Sequence, residues 1–360
     1  MSNILDDEMR MLGETVARYV SDRKGTTPAA SDGDWQELAD LGWLSLPYAE
    51  EVGGLGFGMP GVAEVMKGHG SGLLKTPYLP FVVLSGGVLA RCPNGAERLA
   101  EVMAGELRVA PAFRIAGTER EGGAPKLIAT PDADGFRING EEVHVLSLEE
   151  TDAVLVPALI EASGKIGLFL VSLDTSCLTK SIHTLVDGRS AGYVSFADVH
   201  VPSTARVDGG IDVPAVLDAV WAEALIAAAS ENLGAMEQLY EQTLDYAKLR
   251  QQFGRPIGSF QSLQFRLVDM WIKLDEARCL VAAAAATRDD KEIASLAAAA
   301  WIQTVWSGRL IGEEAIQIHG AIGMTEEAAV GQYFKRVLVN ELLFGAPERH
   351  LARYRSLRVN

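Results

Sequence analysis

Two short stretches carry residues that could do chemistry. The first is NELLFGAPERH, residues 340–350. A helix-like run breaks there at Gly345, Ala346 and Pro347, and a corner of this kind can present a carboxylate to a ligand. The residue at the bend is Gly345, which has no side chain to accept a proton. Glu341 and Glu348 flank it and, as helix and turn carboxylates, are expected to be solvated. The second stretch is RQQFGRPIG, residues 250–258, polar and broken by glycine in a way that a purely structural helix end would not require. Other chemistry is poorly supported. The glycine-rich EEVGGLGFGMPG lacks the GxGxxG spacing and follows no strand, so it reads as a loop between helices rather than a dinucleotide turn. The six histidines (His69, His144, His183, His200, His319, His350) are scattered, no two at metal-ligand spacing on one helix, so no metal is expected.

Composition narrows the classes further. The chain has 360 residues, 48% apolar and 22% charged, enough for two or three domains with sizeable cores. A net charge of −16 argues against a nucleic-acid binder, which needs a basic surface. Cys92, Cys177 and Cys279 form no CxxC pair and no disulfide framework, so a reducing, cytoplasmic setting is expected. The acidic N-terminus has no apolar h-region, and no apolar run reaches the roughly 18 residues of a membrane span. Neither a signal peptide nor a membrane partner is therefore expected.

The elements that must position these residues fall in three blocks. Residues 1–106 read as helical. DDEMRMLGETVARYVSDR places Met9, Leu12, Val16 and Val20 on one face, and DWQELADLGWLSLP follows with Asp34 as N-cap and Gly42 near its end. Residues 107–212 alternate between apolar and polar and are punctuated by DADG and NG, which are hairpin signals. They predict an antiparallel β-barrel or sandwich. Residues 213–360 return to helix in four long periodic stretches, and their alanine runs allow close helix approach, as in a four-helix bundle. The fold class is α+β, helices then sheet then bundle.

DYAKLRQQFGRPIGSFQSLQFRLVDM (245–270) and AIQIHGAIGMTEE (315–327) resemble the acyl-CoA dehydrogenase family. LADLGWLSLPYAEEVGGLGFG and YVSFADVHVP extend the resemblance over essentially the whole chain, and the element order agrees. It implies a flavin, FAD, that takes a hydride from the β-carbon of an acyl-CoA while a glutamate removes the α-proton. Electrons then pass to an electron-transfer flavoprotein. The family's usual base lies in a Tyr-Glu-Gly-Thr corner, matched here by Phe344, Gly345, Ala346 and Pro347, so Gly345 stands at the base position. The alternative base position, on the first bundle helix, falls on Ala224, with Glu223 about 100° away round the helix. Glu341 and Glu223 are the fallback carboxylates.

The flavin cradle that the resemblance implies is uneven. The family's Thr-Glu-Pro loop corresponds to PAFRIAGTEREGGAP and is absent as a pattern. In NGEEVHVL, His144 takes a tryptophan's place and Leu146 a threonine's, and leucine cannot hydrogen-bond a flavin ring. Pro347 replaces a threonine and has no N–H. The set that reaches across to a neighbouring chain's FAD survives: Arg250, Gln252, Phe253, Gln317 and Gly320, with Ala321 replacing a second glycine. Arg250 suits the pyrophosphate and Phe253 the adenine face. The resemblance thus implies a non-catalytic subunit of a heteromeric (α2β2) dehydrogenase that completes the FAD site of a homologous catalytic subunit. Members of that kind act on bulky CoA thioesters such as steroid side chains. The alternatives are a self-sufficient homo-oligomeric dehydrogenase or oxidase with a relocated base, and a flavin-free binding or scaffold homologue in which Arg250 and Gln317 merely cap helices.

Overall fold

The computed structural model describes residues 2–23, 32–113, 125–325 and 328–358. Helices precede a sheet and helices follow it, as the sequence predicts. By internal contact the chain divides into two compact units rather than consecutive blocks. One comprises Met1–Thr27, Met59–Leu74 and Leu225–Asn360, the other Pro28–Gly58 and Lys75–Ala224. The three-block division follows element type, whereas the contact division follows what each element is packed against.

The second unit holds the sheet, with strands β1 (Val109–Pro111), β2 (Leu127–Pro131), β3 (Gly135–Leu146), β4 (Ala153–Ile160), β5 (Lys165–Ser172), β6 (Leu178–Thr184) and β7 (Ser190–Pro202). Their order is β1-β4-β2-β3-β7-β6, with β5 on β4. The DADG hairpin forms as expected, pairing Leu127 with Gly140 and Pro131 with Phe136. Two expectations are corrected. The sheet is mixed, because β4 runs parallel to both β1 and β2. Neither of those pairs is joined by a tight turn: β3 intervenes and returns the chain to its starting direction. The NG at 139–140 is no turn either. It lies inside β3, where the register with β7 shifts on both sides of Gly140 and Asn139 Oδ1 accepts the Asp198 N–H at 2.6 Å. Because β7 pairs with both ends of β3, the irregular pair becomes a bulge.

The same unit carries α2 (Asp32–Asp40) and a π-helical Leu79–Gly86 that runs into α4 (Gly87–Leu89). Asp34 lies within the first turn of α2 rather than capping it. The all-apolar Leu79–Leu84 run is fully buried and anchored by tyrosines. The Tyr48 hydroxyl donates to the Val82 carbonyl at 2.7 Å, and the Tyr78 hydroxyl donates to Trp43 at 3.1 Å.

The first unit contains α1 (Ser2–Arg23), most of α3 (Gly58–Gly72), the larger part of α6 (Val213–Leu249), α7 (Gln261–Ala286), α8 (Asp290–His319) and α9 (Val330–Phe344). These include the four predicted bundle helices. A further helix, α10 (Pro347–Arg358), follows the corner and was not expected. Leu12, Val16 and Val20 of α1 are buried on the predicted face. Helix α6 is long and apolar enough to cross a membrane by length and composition, contrary to the sequence reading; 67% of that window is buried, as in a core helix. A buried ionic knot ties α6 to α9. Arg336, 1% exposed, donates to Glu231 at 2.6 Å, Asn340 donates to the other Glu231 oxygen at 2.8 Å, and Arg336 also reaches the Leu74 carbonyl at 2.9 Å. Removing one partner of such a pair costs about 3–5 kcal/mol, because the remaining charge stays buried.

Candidate functional site

Helix α6 ends at Leu249 and the chain turns through a two-stranded hairpin, β8 (Gln251–Gln252) and β9 (Arg255–Pro256). Its two turn residues, Phe253 and Gly254, both have positive φ, +53° and +79°. This matches the twist of a tight hairpin, whose usual first residue is asparagine, aspartate or glycine. A phenylalanine there is strained by on the order of 1–2 kcal/mol. Packing within the described chain gives little in return: Phe253 is 92% exposed, with Phe260 edge-on to it at 6.1 Å. The Arg250 side chain is exposed and makes no ion pair or hydrogen bond among the described residues, and Gln252 is exposed beside it. The permanent charge of Arg250 and the ring of Phe253 are therefore free to meet a molecule from outside the chain.

The second half of this edge is the end of α8. Gln317 and Ala321 are exposed, and Gly320 closes the helix with φ +65° and ψ −141°, a conformation that essentially only glycine adopts. Added side-chain bulk at Gly320 would meet nothing within 4 Å, so it is the backbone angle that requires glycine. All six residues of the reaching set thus lie on the surface of one unit, at two helix ends.

The corner at Gly345 is built in the opposite way. Gly345 has φ +97° and ends α9, its N–H bonded to the Glu341 carbonyl at 2.9 Å. Pro347 then opens α10, a position where its missing N–H costs nothing. The buried Trp301 indole donates to the Gly345 carbonyl at 2.9 Å, and His350 holds the Phe344 carbonyl at 2.8 Å. A Cβ on Gly345 would lie 3.2 Å from His350 Nε2. Burial, above all, holds the His350 imidazole below its ordinary value. The expectation that Glu341 is solvated is corrected: it is buried and held in a bidentate ion pair by Arg309, 2.7 Å at one oxygen. Glu348 is exposed, as expected.

Both fallback carboxylates are ion-paired. Glu341 is committed to Arg309. Glu223, in the other unit, accepts from Arg91 at 2.6 Å, and Arg91 in turn holds the Gly87 carbonyl at 2.9 Å. Ala224 is fully buried. A general base must reach its proton with an available lone pair; Glu341 directs both oxygens at Arg309, and Glu223 directs one of its two at Arg91.

On the sheet, His144 does not stand as an open platform. Its ring lies parallel to His183 at 5.8 Å and against Tyr193 at 5.1 Å, and Leu146 is buried. The cross-strand partners β6 and β7 supply these rings, a packing that only the pairing register could reveal. The stretch expected to replace the family's Thr-Glu-Pro element spans 111–125, of which 114–124 lie outside the described residues. Asp132, Asp134 and His200, which sequence spacing did not single out, converge within 4.8 Å. Arg137 takes Asp132 at 2.9 Å and His200 takes Asp134 at 3.0 Å, so these carboxylates are already paired.

Residues 222–355 match the acyl-CoA dehydrogenase C-terminal domain. Acyl-CoA dehydrogenase FadE27 of Mycobacterium tuberculosis is 30% identical over 331 residues, covering 89% of this chain and 86% of that one. The Tcur3481-Tcur3483 steroid ACAD G363A variant is 25% identical with a TM-score of 0.83 over 99% of this chain and 98% of its own. The ChsE4-ChsE5 complex from Mycobacterium tuberculosis shares the fold, with a TM-score of 0.84 at 24% identity over 99% of this chain and 97% of its own. The chain belongs to the acyl-CoA dehydrogenase family, whose cofactor is FAD. Its two halves fit that cofactor unequally. The exposed Arg250, Gln252, Phe253 and Gln317 edge offers a charge, amides and a ring to it. The Gly345 corner and the His144 face are filled by the chain's own side chains.

Proposed function

We propose that this chain is the non-catalytic subunit of a heteromeric acyl-CoA dehydrogenase and completes the FAD site of a homologous catalytic subunit. The observation that carries this reading is the strained, exposed Phe253 beside an unpaired Arg250, while every carboxylate near a base position except the exposed Glu348 is locked to an arginine. Strain held at an exposed position points to function outside the folded chain.

In this assembly Arg250 sets its guanidinium fork against the pyrophosphate, and Phe253 covers the adenine face. Gln252 and Gln317 supply amide hydrogen bonds, and the backbone at Gly320 and Ala321 allows close approach. A bound FAD would supply the hydride acceptor for the β-carbon of the acyl-CoA. The partner supplies the carboxylate that takes the α-proton, and an electron-transfer flavoprotein receives the electrons. The likeness to a steroid ACAD supports a bulky CoA thioester, such as a steroid side chain, as substrate. An exposed apolar stripe on α7, with Phe265, Val268, Trp271 and Ile272 each about half exposed, supports a subunit interface on this unit. Val268 and Trp271 also line a groove of about 860 Å3 with Tyr240 and Leu244.

The test is the visible spectrum of the purified chain, alone and after co-expression with a homologous catalytic subunit. The expected result is a colourless chain alone and a yellow complex with one flavin per two chains. A flavin held stoichiometrically by the chain alone overturns the reading.

A further inference from the structure

The reaching edge comes from two segments that nothing in the sequence ties together: the end of α6, with Arg250, and the end of α8, with Gln317. One ring pair joins them. Tyr246 sits one helical turn before Arg250, whose N–H donates to the Tyr246 carbonyl at 2.8 Å. The Tyr246 ring stacks on His319 with centroids 4.3 Å apart and planes inclined by 23°. Its hydroxyl points at the His319 carbonyl across a long 3.4 Å, spanning 73 residues of sequence. His319 lies two residues after Gln317 and immediately before Gly320. It is buried, and its Nδ1–H donates to the Ala315 carbonyl at 2.8 Å, which fixes the ring plane.

We propose that Tyr246 and His319 are positioning residues that clamp the two helix ends so that Arg250 and Gln317 meet the partner's FAD together. The proposal rests on the reading above that this edge serves such a FAD. Its physical basis is preorganisation: two donors held in register before binding lose less freedom on binding than two independent ones. A buried imidazole must be desolvated, so an apolar side chain would suit a contact that only fills space. What the imidazole adds is a flat ring whose orientation its own hydrogen bond sets, directly beside the glycine that must turn the backbone at Gly320.

The experiment measures FAD affinity of the co-expressed heteromer by flavin fluorescence on re-addition to the apo-complex, with assembly followed by gel filtration. His319→Ala is expected to weaken FAD roughly three- to tenfold, the scale of one aromatic pair, with the complex still assembled. His319→Phe keeps a stacked ring and is expected to restore most of that loss. In an Arg250→Ala background, His319→Ala is expected to cost distinctly less, because the clamp acts through the residue already removed. A merely structural role would give the same loss in both backgrounds, and that result overturns the proposal. If Arg250→Ala weakens FAD and His319→Ala does not, the clamp fails while the functional reading stands. If Arg250→Ala leaves FAD affinity unchanged, the functional reading fails and the clamp with it. Should His319→Ala prevent assembly, Tyr246→Leu carries the same comparison from the other ring.

Discussion

The hairpin at residues 250–256 and the corner at 340–350 are both breaks between helices in the same unit, yet they treat their side chains oppositely. At the hairpin, an arginine has no side-chain partner among the described residues and a phenylalanine is 92% exposed on a strained backbone. At the corner, Trp301, His350, Arg309 and Glu341 satisfy one another and the backbone. The first leaves its charge and its ring to solvent, and the second turns its polar groups inward. Two helix breaks in one unit can therefore differ in what they leave exposed: the hairpin presents a charge and a ring, and the corner pairs its polar groups internally.

The largest effect should come from opening the corner. Trp301→Ala removes a fully buried ring and leaves the Gly345 carbonyl without its donor, so urea unfolding should show a loss of about 3–5 kcal/mol. A loss below about 1 kcal/mol would mean the corner is not a packed joint and would dissolve the contrast with the hairpin. Arg250→Ala should act the other way round. FAD affinity of the heteromer should fall by about ten- to a hundredfold, as for a charge-assisted hydrogen bond worth about 1.5–3 kcal/mol. Thermal stability of the isolated chain should meanwhile move within about 0.5 kcal/mol, as for an exposed side chain, and Phe253→Ala should share that indifference.

Restoring the missing carboxylate sharpens the same comparison. Gly345→Glu must place a Cβ near His350 at φ +97°, which should destabilise by about 1–3 kcal/mol. The variant alone should show no acyl-CoA dehydrogenation in a dye-reduction assay, because the flavin face at His144 is closed too. Robust turnover by that homo-oligomer would sink the reading. The smallest effect is a pH dependence. The folded chain holds His350 below its ordinary value of 6.5, so its contribution is full above that value. As pH falls through it, the unfolded chain binds a proton that the folded chain resists, and stability drops. The urea midpoint should therefore decline between about pH 7.5 and about pH 5.5, and His350→Gln should flatten that decline.

Much of the fold was legible in the sequence. Helical periodicity marked four bundle helices, and the DADG turn marked its hairpin. Three of the failures share a cause, a partner distant in sequence. The NG pair carries a turn signal, but β7 pairs on both sides of it and makes it a bulge. The mixed sheet and the burial of Glu341 also depend on partners distant in sequence. Helix α10 was missed because Gly-Ala-Pro reads as an ending, although proline is equally at home in a first helical turn.

The sequence by itself determined which functional side chains exist. It places Arg250, Phe253 and Gln317 where the family resemblance implies a reach to FAD, and puts Gly345 and Ala224, which carry no acid, where it implies a base, because residue type fixes what can carry charge or a proton. Only the tertiary structure decided availability. Glu341 and Glu223 have the right chemistry, but each meets an arginine from a distant segment. Arg250 meets none. The charge state and reach of an ionisable group depend on what the fold brings within a few ångströms, and that is set by packing across the chain rather than by spacing along it.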